Sequence, residues 1–270
     1  MQKSAVQQTI AVVILIALVV FAYIRVRTGF AANNVTLDWS IFSKPSPLTQ
    51  GTYLTTLLIG VLLTIRLALI GIVLALLLGT LVGVSRLSSN PVVSRVAGAY
   101  VEFFRNTPLL VQIFFWNFGV INVLPAPIKN WLFDHSPEQW AVIAALSVYT
   151  SSYIAETIRA GIISVHKGQT EAAKSLGLGG SDVLGRIVLP QAFRAVLPPL
   201  GSQFLNLTKN SSLASQIGVA ELFYYGKQIQ SYTFRGFESI TAVTIAYLLL
   251  SLTITFFLNL LSRRLALPGR

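Results

Sequence analysis

Between Tyr53 and Val84 the chain runs for 32 residues with one charged side chain, Arg66. As a helix rising 1.5 Å per residue this block would reach roughly 48 Å, against about 30 Å for the hydrocarbon core of a bilayer. A domain of 270 residues has no interior in which to hide such an element, so it reads as a tilted or kinked membrane helix with one end outside the bilayer. The rest of the chain agrees: 11% of residues are charged and 54% hydrophobic, where a soluble domain carries about 25% charged residues. A soluble enzyme is excluded on that balance. The net charge of +11 comes from basic residues scattered between apolar blocks, with no dense run. That pattern fits membrane topology and argues against nucleic acid as a partner. With no cysteine the chain has no disulfide and no thiolate metal site.

Further apolar blocks predict an all-α integral membrane protein with six membrane segments. The first covers Ile10 to Ile24. It reads as an uncleaved membrane helix, because no small-residue cleavage pattern follows it; a secretory signal peptide after Lys3 is the rival reading. Residues 28–50, with Asn33, Asn34, Asp38, Pro45 and Pro47, read as an exposed connection. The segments after Tyr53 to Val84 run from Ala97 to Val123, Trp140 to Ile163, Val196 to Ile217 and Ile240 to Leu261. Counting Lys and Arg in the connections sets the orientation. Ten (Lys3, Arg86, Arg95, Lys167, Lys174, Arg186, Arg194, Arg263, Arg264, Arg270) fall on the side of the N-terminus and six (Arg25, Arg27, Lys44, Lys129, Lys227, Arg235) on the other. The excess predicts both termini in the cytoplasm.

Residues 164–194 form the longest polar connection. Helix formers from Lys167 to Leu176 are stopped by Gly177, Gly179 and Gly180; Ser181 or Asp182 can cap a second short helix, which Pro190 ends or bends. Two such helices make a protruding knob, and an amphipathic loop lying at the headgroups is the alternative. Inside the third segment, Pro108 removes a helix hydrogen bond next to Thr107, and Gln112 follows one turn later. Broken helices with polar side chains at membrane depth are how many transporters hold polar solutes. The fifth segment carries Gln203, Asn206 and Asn210 along one face, which has to line a protein interior, a wet path or a subunit interface. Glu156 and Arg159, like Glu102 and Arg105, lie three residues apart and can pair. A gate or substrate contact and a charge pair that fixes helix packing are both open readings. His135 and His166 sit in opposite connections and cannot share a metal.

Several blocks resemble one family. Glu171-Ala172-Ala173, Gly177, Ile187, Leu189 and Pro190 are similar to the EAA loop of permease subunits of bacterial ABC importers. EFFRNTPLLVQIFF (Glu102 to Phe115), AETIRAGIISVHKGQTEAA (Ala155 to Ala173), LPPLGSQFLNLTKNSSL (Leu197 to Leu213), IGVAEL (Ile217 to Leu222) and TFRGFE (Thr233 to Glu238) resemble the polar amino acid permeases, the group of histidine, glutamine and arginine permeases. The finer pattern looks most like its general L-amino acid branch.

The resemblance implies a type I importer permease core of five transmembrane helices over residues 49–264. An extra N-terminal helix and external connection would precede it in 1–48, and a cytoplasmic tail would follow in 265–270. It further implies a second permease subunit, identical or paralogous, an ABC ATPase dimer docked on Glu171, Ala172, Ala173 and Gly177, and an extracytoplasmic amino-acid-binding protein, all at the bacterial cytoplasmic membrane. ATP and Mg would be bound by the ATPase; this chain lacks any G-x-x-x-x-G-K-[ST] phosphate cradle and is expected to bind no cofactor and no metal. Thr107, Gln112, Gln203 and Asn206 are the expected substrate-path residues. Where many members read Asn-Glu this chain has Ser202-Gln203, which speaks against a specialised importer of basic amino acids. The competing function is a stand-alone secondary transporter or channel, which needs no docking knob. A membrane-embedded enzyme is third, and neither H-E-x-x-H nor G-x-S-x-G occurs.

Overall fold

The computed structural model describes residues 2–32 and 36–265. Asn33 and Asn34 of the first connection, and Arg270 of the charge count, lie outside them. The chain divides into two units, Met1–Ile41 and Phe42–Arg270. The first consists chiefly of one helix, α1 (Gln2–Ala32), which carries the whole Ile10 to Ile24 block and leaves Val12, Ile16, Val20 and Phe21 exposed.

Among the described residues the second unit is built of helices joined by short connections. It opens with α2 (Tyr53–Ser85), whose N-terminus is closed by Thr52 and Thr55 bonding each other's backbone N–H groups. Next come α3 (Pro91–Asn106), capped by the Asn90 side chain, then α4 (Leu109–Phe114), a π-helical turn Phe115–Val120 and α5 (Ile121–Val123). A short α6 (Ala126–Asp134) leads to the long α7 (Pro137–Ile163). After α8 (Lys167–Ser175), α9 (Gly180–Asp182) and a π-helical turn Val183–Val188, α10 (Leu189–Asn210) returns and ends in a 3-10 turn, Ser211–Ile217. The last two helices are α11 (Leu222–Thr233) and α12 (Gly236–Leu265).

Among the described residues, three helices are long and apolar enough to cross a membrane: Tyr53–Ser85, Pro137–Ile163 and Gly236–Leu260. The Ala97 to Val123 segment is not one helix, because Thr107 and Pro108 are extended (ψ 135° and 133°) and divide it into α3 and a shorter apolar run, Leu109–Val123. The segment expected to begin at Val196 begins at Leu189. Pro190 stands in its first turn, where a missing N–H is harmless, so it starts a helix that it was expected to end or bend. Neither Ser181 nor Asp182 is the cap of the preceding turn; Gly179 occupies that place, and Asp182 pairs instead with Arg186 at 3.0 Å.

The core is a seam between α2 and α7, which run in the same direction. One face of α2 presents Gly60, Thr64, Ala68, Gly71, Ala75, Gly79 and Gly83, all buried and spaced by three or four residues. Such a stripe of small residues lets helix backbones approach, which lipid cannot otherwise drive, since lipid tails are as apolar as leucine. Gly71 O accepts from the Ser147 hydroxyl at 3.3 Å. At Gly79 an added Cβ would lie 2.7 Å from Ile154 Cβ, and at Gly83 it would lie 2.7 Å from Ala155 O. α10 runs antiparallel to the pair, with Leu207 against Gly71 and Val196 against Gly161. Leu146, Ile154, Leu207 and Ile113 fill the space between and are fully buried.

Candidate functional site

The polar connection after α7 is a folded knob. α8 ends in a left-handed residue, Gly177 (φ +82°), and its last carbonyls are closed by Gly177 N–H to Lys174 O (2.9 Å) and Leu178 N–H to Ala173 O (3.1 Å). That pair of bonds is a Schellman motif, which Gly177 permits because it has no Cβ. Leu178 and Ala173 then pack with Val183, Val188 and Ile187, so the knob has a small core of its own. His166 Nδ1 caps α8 by accepting from Gly168 N–H at 3.1 Å, and Gln191 donates to Gln169 at 2.5 Å, tying α10 to α8. Of the four expected docking residues, Glu171, Ala172 and Gly177 are exposed, while Ala173 is buried in the knob's core. Leu176, with 84% of its surface exposed, stands beside them.

The break between α3 and α4 brings Thr107 and Gln112 together. Gln112 Nε2 donates to Phe104 O (3.0 Å), Thr107 O (3.3 Å) and Thr107 Oγ1 (2.7 Å), while the Thr107 hydroxyl donates to Phe103 O (3.1 Å). Three acceptors around one nitrogen fix the orientation of the amide. Gln112 therefore closes the carbonyls that the missing helix turn leaves open, a task bilayer lipid cannot perform. Its Oε1 is buried without a hydrogen-bond partner.

Gln203 and Asn206 lie on another helix, α10, and among the described residues no hydrogen bond joins them to Thr107 or Gln112. Ser202, Asn206 and Lys209 are all exposed and recur at spacings of four and three, giving α10 a polar outer edge; Gln203 and Asn210 flank it half-buried. α10 also contains Pro198 and Pro199 without losing its helical course. Each lacks an N–H to donate, so carbonyls one turn earlier are left without their helical partner.

A charged cluster closes the end of the seam. Glu156 on α7 pairs with Arg86, the residue following α2, and with Arg159, whose Nε lies 3.1 and 3.2 Å from its two oxygens. The i,i+3 pairing expected of Glu156 and Arg159 is present, and Arg86 joins it from the other helix. Glu102 and Arg105 form no ion pair with each other among the described residues; the Arg105 guanidinium lies instead over the Tyr153 ring, 5.0 Å from its centre. Cation–π attraction to α7 outcompetes an exposed carboxylate one turn away on the same helix.

Glu221 carries a role that reading the residues one by one did not assign. Its side chain is fully buried. Oε1 accepts from Tyr224 N–H (2.7 Å), and Oε2 accepts from Phe223 N–H (2.8 Å) and the Tyr247 hydroxyl (2.7 Å). Next to it, Leu222 N–H donates to Thr64 Oγ1 of α2 at 3.1 Å. One carboxylate thus caps α11 and anchors α12 to it at the point where α11 meets α2. Glutamate is outside the usual set of N-cap residues, so the capping rule passes over it. Among the described residues no group of three His, Cys, Asp or Glu could hold a metal ion. His135 and His166 are exposed; His135 stacks on Trp131.

Residues 71–267 match the family described as binding-protein-dependent transport system inner membrane component. The chain is 33% identical over 240 residues to the glutamate/aspartate import permease protein GltJ of Escherichia coli (strain K12), covering 87% of this chain and 98% of that protein. It is 31% identical to the general L-amino acid transport system permease protein AapQ of Rhizobium johnstonii, covering 93% and 84%. To the probable glutamine ABC transporter permease protein GlnM of Bacillus subtilis (strain 168) it is 42% identical over 188 residues, covering 70% and 83%. Among solved structures it superposes on an amino acid ABC transporter crystallised with histidines at a TM-score of 0.70, with 33% identity over 78% of this chain and 95% of that one. The MetNI methionine ABC transporter, at 18% identity and a TM-score of 0.65, shares the fold.

Proposed function

Because the chain belongs to the family of binding-protein-dependent transport system inner membrane components, we propose that it is the translocation subunit of an ATP-driven importer of polar L-amino acids. The observation that carries this reading is the knob. A chain without a phosphate cradle of its own has built a rigid, hydrogen-bonded projection with an exposed leucine, Leu176, at the exit of its most buried helix. A transporter working alone has no use for such a projection. A partner ATPase holding ATP and Mg, one of a pair, docks on Glu171, Ala172, Gly177 and Leu176, and Ala173 holds the surface from within. Movement of the knob passes directly into α7 and through the Arg86–Glu156 link into α2. The excess of Lys and Arg in the connections on this side supports a cytoplasmic position for this end of the chain and for both termini. An extracytoplasmic amino-acid-binding protein delivers substrate at the other end.

Replacing Gly177 with valine is expected to remove the ATPase from the purified complex while leaving membrane insertion intact. A side chain at φ +82° is strained in any surroundings, and nothing within 4 Å of the new Cβ stabilises it. Copurification followed by mass spectrometry reads the result. An unchanged complex with unchanged transport would refute the docking assignment.

The path for substrate runs along the polar edge of α10. Gln203 and Asn206 offer both donors and acceptors to a zwitterion, Lys209 offers a cation to its carboxylate, and the Thr107–Gln112 pair holds open the backbone break. The edge is polar and exposed on a helix packed against the membrane-spanning α7, so a second permease subunit, identical or paralogous, covers it. Gln203→Glu tests the path. A carboxylate about 4 Å from a cationic side chain contributes several kcal/mol at an effective dielectric near 20, less where water screens it. Arginine should then compete about tenfold better against glutamine than in the wild type, a shift of roughly 1.4 kcal/mol. An unchanged ranking would place selection in the binding protein.

A further inference from the structure

At the end of the seam that bears the knob, α3, α7 and the end of α2 border an open cleft of about 490 Å³, lined by Arg86, Glu102, Arg105, Asn106, Tyr153 and Glu156 together with Val101. Its volume lies in the range of small-molecule pockets. The lining itself carries two cations and two anions, and Arg159, bonded to Glu156, adds a third cation at its edge. The two pairs are not equivalent, however. Glu156 is already neutralised by Arg86 and Arg159. Glu102 and Arg105 are exposed, one helical turn apart on α3, and engage no ion-pair partner among the described residues. Arg105 is held by the Tyr153 ring in a fixed place rather than waving in solvent. A guanidinium braced on an aromatic ring and a carboxylate one helical turn away, both exposed and neither in an ion pair among the described residues, match the two ends of a zwitterion. The guanidinium fork takes a carboxylate bidentately, and the carboxylate takes an ammonium.

We propose that this cleft binds a free amino acid through its backbone zwitterion, carboxylate on Arg105 and ammonium on Glu102, from the side on which the knob lies. The inference rests on the reading of the chain as an amino acid permease, and the site is distinct from the path along α10. It is placed to meet substrate already released, and it joins α3 to the ionic link between α2 and α7. Since only the zwitterion is read, the cleft discriminates little among side chains.

The test is equilibrium binding of radiolabelled L-glutamine to the detergent-solubilised permease–ATPase complex without its binding protein. Glutamine has an uncharged side chain, so the zwitterion alone supplies the charges. Wild-type complex should bind two classes of ligand per permease chain, and Gln203→Ala should retain one of them. Adding Arg105→Gln or Glu102→Gln to that background should weaken the retained class about tenfold or more, with the complex still monodisperse on gel filtration. Loss of all binding in Gln203→Ala would overturn the cleft and leave the path reading standing. Retained binding that ignores both α3 variants would overturn the cleft as well, as would the absence of binding to wild type at millimolar ligand. Binding that survives Gln203→Ala as two undiminished classes would count against the path instead.

Discussion

Glu221→Ala is expected to destabilise the chain by about 3 kcal/mol: removal of an N-cap contributes roughly 1 kcal/mol, and loss of the carboxylate's hydrogen bond from the Tyr247 hydroxyl roughly 2. In a unit of this size that corresponds to a fall of roughly 6–12 °C in the thermal midpoint of detergent-solubilised protein. The loss is local in origin and wide in reach, because the same carboxylate holds α11 and α12 beside α2. Glu221→Gln keeps one acceptor oxygen in place of two and should fall between. Tyr247→Phe, which removes one of the three donors and leaves the cap intact, should be mildest. Thermal denaturation followed by size-exclusion chromatography gives the order. If alanine and glutamine behave alike, the bonds to Glu221 are not what holds these helices.

The α2–α7 seam is even less tolerant. At Gly83 the atoms facing an added Cβ are backbone, Ala155 O at 2.7 Å and Ala155 Cα at 3.1 Å, and backbone in the middle of a packed helix does not step aside. Gly83→Leu should therefore force the helices apart and abolish monodisperse protein. At Gly79 an added Cβ meets Ile154 Cβ and Cγ2, both at 2.7 Å, and the backbone oxygen of Ser151 at 2.9 Å, so α7 has to shift for even one methyl group. Gly79→Ala should destabilise by about 1–3 kcal/mol, the usual range for overpacking. Gly98→Ala is the control: nothing lies within 4 Å of its new methyl group, and alanine is the better helix former by about 0.5–1 kcal/mol. It should match or exceed wild type. A Gly83→Leu protein that purifies normally would mean the seam is looser than its geometry.

Which parts of this were legible in the sequence follows from how much each residue's neighbours matter. Tyr53 to Val84 and Trp140 to Ile163 appear as α2 and α7 to within three residues at either end, since continuous apolarity over more than 20 residues leaves no alternative to a helix in lipid. The small residues of α2 were equally visible. That Gly79 and Gly83 face α7 while Gly60 faces α11 was not, because a stripe of glycines names no partner. Thr107-Pro108 signalled a break, and the break is there, yet the role of Gln112 depends on which way an amide turns. Its nitrogen reaches back over eight residues to Phe104 O, a contact no spacing rule proposes. The Glu102–Arg105 pairing was a reasonable reading of i,i+3 and is overruled by Tyr153, 48 positions beyond Arg105 in the chain. The knob was legible as helix, glycine stop and second helical stretch. Its continuation through a π-helical turn into α10 was hidden by Pro190, which reads as a terminator whenever the residues before it are taken for a helix.

The parallel course of α2 and α7 has a consequence for how the chain is made. Two neighbouring helices that point the same way cannot be a hairpin, so the segment from Arg86 to Ser136 must carry the chain back to the side on which α2 began before they can meet. At about 5–20 residues per second, the roughly eighty residues from Ser85 to Ile163 occupy several seconds of synthesis. During that interval the glycine face of α2 is complete, membrane-embedded and without its mate. A face built for close backbone approach is also one on which two nascent copies, or an unrelated helix, can pair. Ribosomes stalled between Arg86 and Ser136 should therefore leave nascent chains that cross-link through single cysteines introduced on the face of Gly71, Gly79 and Gly83, and the pairing should vanish once α7 has emerged.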